Sequence, residues 1–326
     1  MDACVEEFSS PFMPPLIRLR ARMQALDPIR LPPYAGSAWR GVLGHALRQA
    51  ACVTRARTCD GCLLQTHCTY TRLFEPPAPS GEGGRRFAAP PRPYLLGIDP
   101  RAGRDHAPGD PLTLGVTLLG EAIRQVPYLI HALQLAGQRG LGHEQGRFAV
   151  VGLDQEAAPG SDDWRSVYSA AEGRYVPLPS VVTPLPAVPE RVPVRLLTPL
   201  RLKRHGHLTG PERFTPEDFL FNLVGRLRLL ASHHGGNPEP LDWPRLYPAA
   251  QSQSLVLSQA RLHWHEWTRY SSRQSTAMEL GGLLGTFELF GPGLAPLWPL
   301  LWHGQWVHAG KSTTFGLGAY RLGDLS

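Results

Sequence analysis

Lysine is almost absent from this chain, and so are long apolar runs. Only Lys203 and Lys311 are lysines among 33 basic residues. No apolar run reaches the roughly 18–20 residues that a membrane span needs, and the acidic N-terminus lacks the basic-then-apolar order of a signal peptide. With 42% hydrophobic residues and a mean hydropathy of −0.19, these absences predict a soluble, cytoplasmic globular protein with no membrane partner.

The positive charge is therefore carried by arginine. The net charge is +6 and the sequence pI is near 9.3. Arginine has a planar fork that matches phosphate and can stack on bases, which favours a polyanionic partner. A GC-rich coding sequence would produce the same arginine bias without any function, so both explanations stay open at this point.

Cysteine is also scarce, but its placement is uneven. Of five cysteines, four fall within 17 residues in the pattern C-x6-C-x2-C-x5-C: Cys52, Cys59, Cys62 and Cys68. In a cytosolic protein such spacing predicts a metal site rather than disulfides, with zinc as the first choice and an iron–sulfur cluster as the second. Four thiolates would leave no open position, so the role would be structural. Incidental cysteines are the alternative.

A glycine-rich stretch lies near the C-terminus, from Trp306 to Arg321. Its Gly-Lys-Ser-Thr segment looks like the end of a nucleotide P-loop, but the first glycine of that motif would fall at Gln305. Gly316 and Gly318 follow, and the chain stops soon afterwards, so no P-loop helix can form. The stretch predicts instead a glycine-rich loop that favours phosphate and feeds a last strand.

The order of predicted elements repeats once along the chain. A strand at 16–23, a helix at 37–51, strands at 93–98 and 112–119, a helix at 120–136 and a strand at 147–153 form one strand–helix–strand–strand–helix–strand unit. The same order recurs from 192 onward. We therefore predict an α+β protein of two tandem ferredoxin-like (RRM-like) domains, at 1–155 and 191–326. The cysteine-rich insertion (52–68) lies in the first, a proline-rich linker covers 156–190, and the glycine-rich loop is 310–318.

The first predicted helix has a buried stripe and an opposite face that carries Gly41, Gly44 and His45. Each interior glycine costs a helix about 1 kcal/mol relative to alanine. Because nothing on the polar face demands glycine, the pair indicates a surface that a ligand approaches closely. A solvent-exposed histidine with no role is the other interpretation of His45.

Several motifs together resemble one family. They are Tyr34-Ala-Gly-Ser-Ala-Trp-Arg-Gly-Val-Leu-Gly-His45, Cys59-x2-Cys62-x5-Cys68, Thr198-Pro-Leu-Arg-Leu-Lys203, Arg269-Tyr-Ser-Ser-Arg273 and His308-Ala-Gly-Lys-Ser-Thr-Thr-Phe-Gly-Leu-Gly318. Over residues 16–322 the chain resembles the CRISPR pre-crRNA-processing endoribonucleases of the RAMP superfamily, in the branch with a cysteine cluster after the first helix.

The resemblance implies a prokaryotic enzyme that cleaves CRISPR repeat RNA to mature crRNA without a catalytic metal. The ribose 2′-OH attacks the phosphorus and leaves a 2′,3′-cyclic phosphate and a 5′-OH. It implies His45 as acid or base and Tyr34 as orienter or acid. The implied RNA contacts are Arg201, Lys203, Arg204, Arg269, Arg273, Gly310, Lys311, Ser312, Thr313, Gly316 and Gly318.

Other assignments remain open. His205 and His207, beside Lys203, are rivals of His45, and His233 and His234 are weaker ones. Many RAMP proteins are non-catalytic subunits that hold crRNA in a CRISPR effector complex, and a zinc-dependent nucleic-acid enzyme is a third class. The closed set of four cysteines argues against the third.

Overall fold

A computed structural model of the chain describes residues 12–78, 90–181, 183–204, 206–237, 255–271 and 276–323, together with residues 242, 244, 246, 248 and 250. For 268–271 and 276–279 it describes the backbone only. Within these ranges no helix combines the length and the apolar character that crossing a membrane requires.

The first half is an antiparallel sheet with two long helices on one face. Its strands are β1 Leu16–Ala25, β2 Tyr94–Gly97, β3 Pro111–Leu119, β4 Phe148–Glu156, β5 Trp164–Ser169 and β6 Arg174–Tyr175. Its helices are α1 Ala35–Ala51, α2 Thr69–Phe74 and α3 Val126–Arg139. The sheet order is β2-β3-β1-β4-β5-β6, so the four core strands have the order of a ferredoxin-like unit.

The second half repeats the arrangement on a smaller scale. It contains β7 Arg191–Leu200, α4 Pro216–His233, β8 Val256–His265, β9 Gly282–Phe290, α5 Leu294–Gly304 and β10 Tyr320–Leu322, with the sheet order β8-β9-β7-β10. Thr215 caps α4 as its sequence predicts, because the Thr215 hydroxyl accepts a hydrogen bond from the amide of Asp218 at 3.3 Å.

The predicted linker at 156–190 is partly wrong. Residues 164–175 form β5 and β6, which extend the first sheet beyond β4. The polar composition of this segment hid the strands, because both lie near the sheet edge with one face toward solvent. The proline-rich part after 175 is the actual connection to the second half.

The two halves pack through the face of the first sheet that carries no helices. Leu16 of β1, Leu95 of β2 and Leu119 of β3 belong to the apolar cluster of the second half. Burying these side chains removes apolar surface from water, at about 25 cal/mol for each Å². The halves therefore share part of one core.

A charged and aromatic contact joins the halves beside this core. The Arg18 guanidinium pairs with Glu156 and lies 5.1 Å from the ring centre of Trp306. Arg321 of β10 also lies over Trp306, at 4.6 Å. Arginine over an indole ring is an attractive contact that strengthens when water is excluded. The β1 face that the sequence marks with arginines is thus used for contact between the halves.

Candidate nucleic-acid interface and catalytic residues

The glycine-rich loop follows α5 and lies between the two halves. A short 3₁₀ turn, Thr313–Phe315, packs against the start of α1 and against β2. Thr313, Gly316 and Gly318 are buried, Ser312 is half-buried, and Lys311 is exposed. Most of the loop is therefore enclosed by the protein, and its lysine projects into solvent.

The backbone amides of this loop are largely occupied within the chain. The amide of Gly310 donates to Asn222 Oδ1 at 2.9 Å and that of Lys311 to the carbonyl of Arg201 at 2.9 Å. The amides of Gly316 and Gly318 donate to the carbonyls of Thr313 and Pro199, at 2.8 and 3.0 Å. Because each N–H already has a partner, these four amides do not support the predicted anion cradle. Of residues 310–318, only Lys311 is exposed.

Tyr34 connects the loop to the first helix. It is the residue before α1, its ring is buried, and its hydroxyl donates to the carbonyl of Phe315. The ring also stacks on Trp267, with centroids 4.3 Å apart and an angle of 19°. Burial raises the pKa of Tyr34 far above its usual range, so the phenol stays neutral. Tyr34 therefore positions the loop and does not reach solvent as an acid.

His45 lies on the exposed side of α1, in a shallow depression. The depression is lined by His45, Arg48, Gln49, Cys52, Arg55 and Ala56. Partial burial lowers the pKa of His45, and the positive charges of Arg139 and Arg48 lower it further. The imidazole is therefore neutral at pH 7 and can accept a proton. Cations around a neutral histidine suit chemistry at a phosphodiester.

The structure does not bring Tyr34 and His45 together. They are eleven residues apart, which corresponds to about 16 Å along a helix of 1.5 Å rise per residue. The positive charges that act on His45 come instead from Arg48 and Arg139, and Arg55 lines the same depression. Arg48 is visible in the sequence three positions after His45, whereas Arg139 comes from the end of α3, a contact that local spacing cannot reveal.

The rival histidines have different settings. His207 is exposed on a two-residue strand, His207–Leu208, that pairs with Lys203–Arg204. His233 is exposed at the end of α4, and His234 Nε2 lies 2.6 Å from the carbonyl oxygen of Pro91. His205 lies outside the described residues.

The residues of the second half that are predicted to contact RNA have different surroundings, and some of them lie outside the described residues. Arg201 donates to the carbonyl of Gly281, Lys203 is exposed, and Arg204 lies 3.5 Å from Asp218. The amide of Lys311 donates to the carbonyl of Arg201, and Lys203 follows Arg201 by two residues. The side chain of Arg269 and all of Arg273 lie outside the described residues.

The four clustered cysteines do not form a metal centre here. Cys52, Cys59, Cys62 and Cys68 are free and half-buried. Thr54 Oγ1 lies between two of the thiols, 3.7 Å from Cys52 Sγ and 3.9 Å from Cys62 Sγ. Among the described residues, no group of three or more metal-binding side chains converges. Zinc needs thiolates at about 2.3 Å in a tetrahedron, so the arrangement does not fit the predicted zinc or iron–sulfur site.

Gly41 and Gly44, which the sequence predicts on the polar face of the first helix, have different surroundings. A methyl at Gly44 would fall 2.9 Å from Phe74 Cε1, so Gly44 is required by α2 and not by a ligand, contrary to the sequence-based interpretation. A methyl at Gly41 meets no atom of the described residues within 4 Å. Only Gly41 remains a surface glycine without a packing reason.

We expect Gly41→Ala to raise the free energy of unfolding by about 1 kcal/mol, because alanine restricts the unfolded chain and favours the helix. Gly44→Ala should lower it, since the Phe74 ring must move. Urea unfolding of both variants measures the difference. Equal stability of the two variants would contradict the assigned packing of α2 on α1.

Comparisons with known proteins agree with this architecture. A family model described as the AF_1859_N N-terminal domain matches residues 13–180, and the model of the CRISPR-associated endoribonuclease Cas6 matches residues 194–320. An uncharacterized protein of Archaeoglobus fulgidus is 25% identical over 314 residues, which cover 94% of this chain and 97% of that protein.

Solved structures show the same fold. A Cas6 (TTHB231) product complex has a TM-score of 0.56 at 16% identity, over 94% of this chain and 99% of that one. Thermus thermophilus Cas6 (TTHB231) has a TM-score of 0.53 at 15% identity, over 95% and 98%. The first family model covers more than half of the chain, and the second covers most of the remainder. The chain therefore belongs to the family that the first model describes, and its second half is similar to Cas6, a CRISPR-associated endoribonuclease.

Proposed function

We propose that this protein is a metal-independent endoribonuclease that cleaves CRISPR repeat RNA to mature crRNA. The observation that carries the proposal is the setting of His45, a neutral imidazole exposed among arginines, in a chain whose second half matches the Cas6 model. Cleavage of a phosphodiester by its own ribose needs a base and cations, and this depression supplies both kinds of group.

The chemistry assigns one role to His45. Its neutral imidazole accepts the proton of the attacking ribose 2′-OH as the new O–P bond forms. The bond from phosphorus to the 5′-oxygen then breaks, and that oxygen takes up a proton from water. The products are a 2′,3′-cyclic phosphate and a 5′-OH. Arg48 and Arg55, which line the same depression, stabilise the negative charge of the phosphorane.

Incubation with repeat RNA in excess EDTA tests the proposal. We expect cleavage at one position, with a cyclic phosphate on the upstream product, and no cleavage of RNA that carries a 2′-deoxyribose at that position. Loss of activity in EDTA would indicate a metal-dependent enzyme instead. A gel shift without any product would contradict the enzymatic function.

One observation favours a second candidate, a non-catalytic subunit that holds crRNA in an effector complex. Tyr34 is buried, and the eleven residues that separate it from His45 span about 16 Å along the helix axis, so the two residues do not form a catalytic pair. A binding subunit needs the basic surface but not the histidine. The same EDTA experiment separates the two functions, because only the enzyme releases product.

Lys311 is the predicted phosphate contact of the glycine-rich loop. We expect Lys311→Ala to weaken RNA binding and to reduce the slope of log K against log salt by about one, the effect of one lost phosphate contact. Filter binding between 50 and 300 mM salt measures the slope. Arg101→Ala is the control, since Arg101 is an exposed arginine that pairs with Asp99. An unchanged slope in Lys311→Ala would remove this residue from the interface.

A further inference from the structure

Beside the glycine-rich loop, four polar side chains from four segments converge. They are Arg40 of α1, Arg92 before β2, Tyr94 of β2 and Thr314 of the loop. The Arg40 guanidinium lies 4.6 Å from the ring centre of Phe315 and 5.5 Å from that of Phe74. Arg92 Nε donates to the carbonyl of Phe74 at 2.6 Å. We call these four residues the Arg40 cluster.

One polar atom of the Arg40 cluster, Arg40 Nε, is buried without a hydrogen-bond partner among the described residues. Tyr94 is 2% exposed, and its hydroxyl lies against Arg40 and Thr314 without a hydrogen bond of good geometry. Unsatisfied buried polar groups are rare and call for an explanation.

The charges of the Arg40 cluster indicate the sign of that acceptor. Burial lowers the pKa of Arg92, and the positive charge of Arg40 lowers it further, so the two guanidinium groups are close enough to repel. Burial raises the pKa of Tyr94, while Arg40 and Arg92 oppose the rise. The negative charge of Glu75, which accepts a hydrogen bond from the Tyr70 hydroxyl at 3.2 Å, partly opposes the lowering of the Arg92 pKa. The cluster is therefore a concentration of positive charge with spare donors.

Arg92 is more than a third exposed, although its Nε is bonded inward. Arg40 is half-buried and Thr314 is buried, and the Phe315 and Phe74 rings lie against the Arg40 guanidinium. Two guanidinium groups offer several donors in planar forks, and hydroxyls add more, a combination that matches a phosphate.

We propose that the Arg40 cluster is a binding subsite for one backbone phosphate of the RNA. The proposal rests on the proposed function and adds a contact on the loop side of α1. Arg40 precedes His45 by five residues, which is about 7.5 Å along the helix axis. The two side chains also differ by about 140° in direction around the helix, so a strand held at Arg40 would have to cross α1 to reach the depression in which His45 lies.

Single neutral linkages in the RNA test this subsite. A series of uncleavable 2′-deoxy repeat RNAs, each with one methylphosphonate, is bound to the protein and to Arg92→Gln. At one linkage we expect neutralisation to weaken wild-type binding about tenfold and to change binding by Arg92→Gln less than twofold, because that variant has already lost the contact. Tyr94→Phe, which removes only the hydroxyl, should show a reduced penalty at the same linkage. Arg101→Gln should behave as the wild type.

The subsite is overturned if each linkage shows the same penalty in the wild type and in Arg92→Gln. If the protein binds no repeat RNA, the proposed function is refuted, and the subsite is tested separately. Inorganic phosphate is then titrated while the Arg40 Nε–H resonance is followed by NMR. A shift that Arg92→Gln weakens would support the anion subsite alone, and an unmoved resonance would remove it.

Discussion

Replacement of His45 by alanine is expected to slow the cleavage of repeat RNA by about 100-fold or more, with RNA affinity unchanged within about twofold. Removing a positioned general base typically costs 10²- to 10⁴-fold in rate. Binding should persist because the arginines of the depression remain. Single-turnover cleavage and filter binding, measured on the same preparation, separate the two effects.

The pH dependence of the wild-type protein gives the role of His45. Its pKa is held below the usual value of 6.5 by partial burial and by Arg139 and Arg48. A base must be deprotonated, so the rate should rise with pH up to that lowered pKa and then level off before pH 7. A general acid would give the opposite sign, with the rate falling over the same interval.

His207→Ala and His233→Ala serve as matched controls, since both side chains are exposed and neither lies in the depression. Both should retain the wild-type rate. If His45→Ala cleaves as fast as the wild type while His207→Ala is slow, the catalytic histidine lies on the short hairpin beside Lys203.

Gly318→Ala is expected to lower the free energy of unfolding by more than about 3 kcal/mol. Gly318 has φ of +74°, a left-handed conformation that costs a residue with a side chain about 1–2 kcal/mol. The added methyl would also fall 1.8 Å from the carbonyl oxygen of Ala309, which is backbone and cannot rotate away. That position is fixed further by hydrogen bonds from Gly318 to Pro199 and from Ala309 to Gly318.

Gly323→Ala is the control that isolates the contact. Gly323 also has positive φ, +118°, but a methyl there meets no described atom within 4 Å. Its loss of stability should therefore be limited to the backbone strain. Urea unfolding of the two variants should differ by at least about 2 kcal/mol. Equal losses would mean that the loop yields freely around Gly318.

The sequence predicts helices and their ends well where the prediction depends only on neighbouring residues. The buried stripe predicted for the first helix is confirmed, since Trp39, Leu43, Ala46 and Leu47 of α1 are buried. Thr215 caps α4 by accepting the hydrogen bond from the amide of Asp218. Periodicity and capping depend on neighbours within one or two turns, which the sequence displays directly.

The sequence does not reveal which distant segments pack against each other. Gly44 resembles a surface glycine until α2 places Phe74 against it, and β5 resembles a linker until it pairs with β4. The glycine-rich loop is the clearest case. Its composition predicts exposed amides, but whether an N–H faces a ligand or a carbonyl such as that of Pro199 depends on how the halves pack.

The hydroxyl of Tyr34 that holds the carbonyl of Phe315 has a mechanical consequence. Tyr34 is the residue that precedes α1, and Phe315 belongs to the turn that follows Lys311. Their hydrogen bond therefore connects the helix that carries His45 to the loop that carries Lys311. If the protein cleaves RNA as proposed, this coupling would keep a constant distance between a phosphate held at Lys311 and the linkage presented to His45. The cleavage position would then be set by its distance along the RNA from the Lys311 contact.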